Sequence, residues 1–85
     1  LTTSQNTVRD IDARGLLCPL PVLRARKALL QLAPGDVLRI LADDPMARID
    51  MPHFCMQSGH SLIDVTEAGD HQIYRIACGT STTSD

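Results

Sequence analysis

The sequence predicts an α/β fold: a two-layer α/β sandwich in βαβαββ order, with a mixed four-stranded sheet and two helices on one face. Three observations carry it. Short alternating runs at 8–13, 37–42, 62–67 and 72–78 have the period of strands. Residues 19–32 place apolar side chains at helical spacing instead. Proline, glycine and aspartate mark the junctions between these runs. The right-handed crossover rule then makes the first two strands parallel, puts both helices on the same side and leaves the last two strands as a hairpin.

Size and composition bound the rest. Eighty-five residues make one small domain with a marginal core, expected over 8–78, and the polar, Thr/Ser-rich ends at 1–7 and 79–85 read as tails. Apolar residues make up 44% and charged residues 21%, ordinary for a globular protein. Phe54 and Tyr74 are the only aromatics, so the core is expected to be aliphatic and a surface of stacked rings for nucleic acid is excluded. A net charge of −2 likewise argues against a phosphate-binding footprint. Three widely spaced cysteines fit a reducing compartment better than a disulfide framework. Residues 1–7 do not resemble a signal peptide and no apolar run approaches a membrane span. The expectation is a cytoplasmic monomer with no membrane partner.

In chain order, Val8 to Ala13 is the first strand, with Ile11 and Ala13 on one face. The helix from Pro19 to about Leu32 turns Val22, Ala25, Ala28, Leu29 and Leu32 to the core and Arg24, Lys27 and Gln31 away from it. Leu20 falls on the polar side, with Leu23 and Leu30 at its margin. Pro34-Gly35-Asp36 turns the chain into Val37 to Ala42, where Leu38, Ile40 and Ala42 make a buried face opposite Arg39. Asp44 before Pro45 has the grammar of a helix cap. A straight helix over 46–58 would hold Pro52 in its middle, so two pieces are expected, the second opened by Pro52 and stopped by Gly59. Ala68-Gly69-Asp70 closes the final hairpin.

The stretch Gly15-Leu16-Leu17-Cys18-Pro19-Leu20-Pro21-Val22 carries the chemistry. Cys18 precedes a proline and is expected as an N-cap, with Pro19 at N1, which puts the thiol on the rim of a helix N-terminus. There the helix dipole lowers a cysteine pKa and makes Cys18 a candidate nucleophile. Pro19 and Pro21 stiffen the first turn and lack N–H groups. Only Leu20 is left to donate to the sulfur, so the expected activation is moderate, which suits an attacking thiol. No second cysteine lies one turn away, so the motif is not that of a dithiol oxidoreductase. A lone thiol of this kind can hold sulfur as a persulfide and pass it on.

Asp12-Ala13-Arg14-Gly15-Leu16-Leu17-Cys18-Pro19-Leu20-Pro21 resembles the Cys-Pro-x-Pro signature of the TusA (SirA-like) family of sulfur carriers. The likeness runs through Arg26-Lys27, Pro34-Gly35-Asp36, Ala42-Asp43-Asp44-Pro45 and Asp50-Met51-Pro52-His53-Phe54-Cys55. It implies that Cys18 accepts sulfane sulfur from a protein donor, a cysteine desulfurase or a rhodanese-like protein, and relays it to a protein acceptor. This is sulfurtransferase chemistry with no cofactor, in tRNA thiolation, cofactor biosynthesis or sulfur oxidation. Some relatives carry charged residues where this chain has Leu17 and Leu20, so the surface around the thiol is more apolar here. Leu20, Leu23 and Arg26 on one flank and Asp44 on the other are the candidate partner surface.

The plainer alternatives concern the same residues. Free cysteines are usually small buried hydrophobes, the expected role of Cys55 beside Phe54 and Met56 and of Cys78 at a strand end. His53, Cys55 and His60 match no common zinc spacing, and no metal site is expected. Asp43, Asp44 and Asp50 are read as structural rather than as magnesium ligands, Asp44 as a helix cap and Asp50 as preceding the second helix, since no phosphate-binding loop is present. The competing function is a thiol-dependent regulatory or interaction domain that transfers nothing.

Overall fold

Alternation builds the centre of the sheet. In the computed structural model, which describes residues 7–79, the elements are β1 (Val8–Asp12), α1 (Leu20–Leu29), β2 (Val37–Ala42), α2 (Ala47–Ser58), β3 (Ser61–Glu67) and β4 (Gln72–Ala77). Leu38, Ile40 and Ala42 on β2 and Tyr74 and Ile76 on β4 are fully buried, as a period of two requires of strands with one covered face. The sheet order is β1-β2-β4-β3. β1 runs parallel to β2 across the α1 crossover, and β4 is antiparallel to both of its neighbours. The expected two-layer sandwich with a mixed sheet is the fold observed.

The core lies between the sheet and the two helices. Ala25, Ala28 and Leu29 enter it from α1, and Met51, Phe54 and Cys55 from α2. It is aliphatic except for Phe54 and Tyr74, and Tyr74 is the largest fully buried side chain. The Tyr74 hydroxyl donates to Gln72 Oε1 at 3.1 Å, so the phenol brings no unsatisfied group inside. The other face of the sheet is left to water. One register row crosses all four strands there as Asp10, Arg39, Arg75 and Asp64, and the outer carboxylates pair with the inner guanidiniums. A charged row of this kind stabilises little but keeps an uncovered sheet face soluble.

Three boundaries differ from expectation. α1 begins at Leu20 and ends at Leu29; Leu30 to Leu32 continue in tighter turns, with the N–H of Gln31 and Leu32 bonded to carbonyls three residues back. α2 is one helix from Ala47 to Ser58 with Pro52 inside it, not two pieces. Its first turn is also tight, the N–H of Ala47, Arg48 and Ile49 each bonding three residues back. Pro52 therefore withholds its missing N–H just past that turn, while Met51, Phe54 and Cys55 are held by the core on either side of it. Of the expected tails, 1–6 and 80–85 lie outside the described residues. Thr7 and Gly79 belong to the fold: Thr7 N–H donates to Asp36 Oδ1 at 2.9 Å, and Gly79 N–H to His60 Nδ1 at 2.9 Å.

Candidate functional site

The site is assembled where β1 and β2 end side by side. After β1 the chain turns at Gly15, whose φ of +83° is the left-handed region that side chains resist. Gly15 N–H donates to both Asp43 oxygens, at 3.0 and 3.1 Å. Cys18 N–H donates to Asp44 Oδ2 at 2.5 Å, and Asp44 Oδ1 accepts Met46 N–H at 3.1 Å. The consecutive aspartates after β2 thus fasten the cysteine loop and the entry to α2 to the same point. Asp44 is 8% exposed and both its oxygens are engaged. It is not the cap that its place before Pro45 suggests, since Met46 takes that position without a side-chain cap bond and Asp44 braces the turn before it, and it is not an exposed flank of a partner surface.

Cys18 is not the helix cap. Leu20 N–H donates to Leu17 O at 2.8 Å, closing a turn with Cys18 and Pro19 in its middle, and Pro19 takes the cap position. The peptide between Cys18 and Pro19 is cis. Leu20, the one donor expected to reach the sulfur, is therefore spent on Leu17, and Pro21 is buried under the first turn. The thiol finds a different partner: Sγ donates to Asp50 Oδ2 on α2 at 2.8 Å. That contact reverses the expected electrostatics. The hydrogen bond to Asp50, burial and the charges of Asp50 and Asp44 all hold the Cys18 pKa above the ordinary thiol value. At rest Cys18 is a guarded thiol, not a dipole-activated thiolate.

Beside the sulfur lies an open groove of about 260 Å³, with Val22 and Phe54 as apolar wall and Asp50, His53 and Gln57 as polar rim. Leu17, Leu20 and Leu23 stand exposed on the α1 side, Leu17 by 70%. Arg26 is exposed too, but it borders a second cavity at the other end of the helices, with Leu30, His60 and Cys78. The expected flank is thus divided: Leu20 and Leu23 lie toward the cysteine loop, Arg26 on the far cavity. Asp50 and His53 are the residues that sequence reasoning did not bring to Cys18. The spacing Asp50-Met51-Pro52-His53 was the available signal, one helical turn with both polar groups on one side.

The other cysteines are buried. Cys55 is pushed up to about 11 by burial, and Cys78 sits 3.6 Å from the Leu29 and Leu32 carbonyls. Neither lines the Cys18 groove. Among the described residues no three His, Cys, Asp or Glu side chains converge as metal ligands, and no helix is long and apolar enough to cross a membrane.

Comparison with known proteins gives the family and the fold. The family model described as Sulfurtransferase TusA matches residues 9–77. The sulfur carrier protein TusA of Pseudomonas aeruginosa strain PAO1 is 41% identical over 66 residues, covering 78% of this chain and 84% of that protein. That of Allochromatium vinosum is 43% identical over 61 residues, covering 72% and 80%. The crystal structure of a SirA-like protein from Desulfitobacterium hafniense superposes with a TM-score of 0.74 at 30% identity, over 86% of this chain and 99% of that one.

Proposed function

The chain belongs to the Sulfurtransferase TusA family, and from that membership we propose that it is a sulfur carrier with Cys18 as its loading site. What supports the assignment of Cys18 is exposure: it is the exposed thiol of three, beside an open groove, while Cys55 and Cys78 are buried. In uptake, Cys18 Sγ attacks the outer sulfur of a donor persulfide. The donor's sulfur–sulfur bond breaks, its inner sulfur leaves as a thiolate, and the proton from Cys18 ends on that thiolate. In delivery the same exchange runs toward an acceptor thiol, so no oxidant or reductant is consumed.

The partners are proteins on both sides, a cysteine desulfurase or rhodanese-like donor and a thiol-bearing acceptor. A groove open to solvent admits a partner's cysteine, and the exposed Leu17, Leu20 and Leu23 give it an apolar surface to rest on. The competing regulatory role would transfer no sulfur, and delivery to an acceptor separates the two. The test is a relay: radiolabelled cysteine and a cysteine desulfurase are mixed with the protein, which is then isolated and offered to excess thiol. Label that appears on the Cys18 peptide and then chases onto the acceptor supports the carrier. Label that stays on the desulfurase refutes it.

A further inference from the structure

Resting on the carrier reading, a further role falls to Asp50. Among the described residues Asp10, Asp12, Asp64, Glu67 and Asp70 pair with arginine or histidine side chains, and Asp36, Asp43 and Asp44 accept backbone N–H groups. Asp50 accepts the Cys18 thiol alone, at 2.8 Å. Asp50 also lies in the first turn of α2, where a carboxylate suits the helix dipole, but its hydrogen bond is to the sulfur. The other titratable groups against Cys18 are Asp44, on its backbone N–H, and His53 in the groove; α1 and its cap contribute only Val22 and Pro19 there.

A persulfide is more acidic than its parent thiol, and its anion is a nucleophile. Only the neutral form offers its outer sulfur to an attacking thiolate. We propose that Asp50 makes Cys18 a better giver than taker of sulfur, by holding the loaded persulfide in its neutral, electrophilic form. The carboxylate that accepts the bare thiol at 2.8 Å is the group against which the outer S–H would be loaded. When an acceptor thiolate attacks the outer sulfur, the bond between the two sulfurs breaks and Cys18 Sγ leaves with the electron pair. The outer sulfur departs with its proton on the acceptor. Cys18 regains from water the proton that the acceptor had lost, and donates again to Asp50.

Two effects oppose each other, and their sizes decide. A carboxylate beside Cys18 also makes Sγ a poorer leaving group. Exchange rates follow thiol pKa less than proportionally, with an exponent of roughly one half for the attacking thiol, whereas the neutral fraction of an acidic group changes about tenfold per pKa unit. The neutral fraction wins, by up to about threefold per unit. The same arithmetic slows uptake, because the thiolate fraction falls faster than nucleophilicity rises.

The experiment follows uptake from polysulfide and discharge to glutathione at pH 7 by quenched intact mass, for wild type, Asp50→Asn and Asp50→Glu. Asp50→Asn is expected to load about threefold faster and discharge about threefold slower, while Asp50→Glu, which keeps the charge, stays near wild type in both. Loss of fold or of groove geometry would slow both steps, so opposite signs identify the charge. Rates in Asp50→Asn that are unchanged, or that move in the same direction, overturn the proposal. A wild type that takes no sulfur at Cys18 overturns the carrier reading itself, and this inference with it.

Discussion

Asp44 accepts the backbone N–H of Cys18 at 2.5 Å through Oδ2 and that of Met46 at 3.1 Å through Oδ1, so one buried carboxylate joins the cysteine loop to the start of α2. Removing it leaves two N–H groups without their acceptor. Asp44→Ala is expected to lower stability by about 1.5–3 kcal/mol, the range for a hydrogen bond to a charged group, with Asp44→Asn losing less. Urea unfolding measures this. A midpoint unchanged in Asp44→Ala contradicts the bracing role.

Gly79 closes the described fold against the turn that ends α2. A Cβ built on it would fall 1.8 Å from the Gly59 carbonyl oxygen, which is backbone and cannot swing away. Gly79→Ala should therefore force the strand end outward and break the bond to His60, costing about 1–3 kcal/mol. Gly69→Ala meets open space at a φ of +75° and should cost only about 1 kcal/mol of backbone strain. Equal losses for the two variants would contradict the steric account.

The buried Tyr74 hydroxyl and Gln72 satisfy each other. Tyr74→Phe keeps the ring and strands the amide oxygen, with an expected loss of about 0.5–1.5 kcal/mol by thermal or urea unfolding. A variant as stable as wild type would show that water reaches Gln72.

Burial lowers the pKa of His60, and its Nδ1 must stay unprotonated to accept Gly79 N–H at 2.9 Å. The folded pKa lies below the unfolded one, so the unfolded chain takes the proton first as pH falls. The stability contributed by neutral His60 is thus complete above the ordinary imidazole value and lost on acidification below it. His60→Gln should be less sensitive than wild type between about pH 7 and 5. Parallel pH profiles for the two proteins would contradict this.

Local pattern made much of the fold legible. The alternation of Leu38, Ile40 and Ala42, the helical stripe of Ala25, Ala28 and Leu29 and the stop at Gly59 all appear as read, because each is set by residues close in sequence. The helix cap lies one residue beyond Cys18, at Pro19, since a cap-like residue before proline does not reveal that Leu20 will bond to Leu17 instead. α2 was divided because proline propensity is local, whereas the packing of Met51, Phe54 and Cys55 that keeps the helix whole is not. The largest omission, the Asp50 contact, joins residues 32 apart in the chain. The expected dipole activation of Cys18 failed for the same reason: the nearest strong charge belongs to the other helix.

The central claim is that sulfur is carried on Cys18. Intact mass after polysulfide treatment without reductant, for wild type and Cys18→Ser, tests it most directly. Wild type should gain one sulfur atom and release it on reduction, and Cys18→Ser should gain none, because burial shields Cys55 and Cys78. Equal loading of the two proteins, or none in either, contradicts the account.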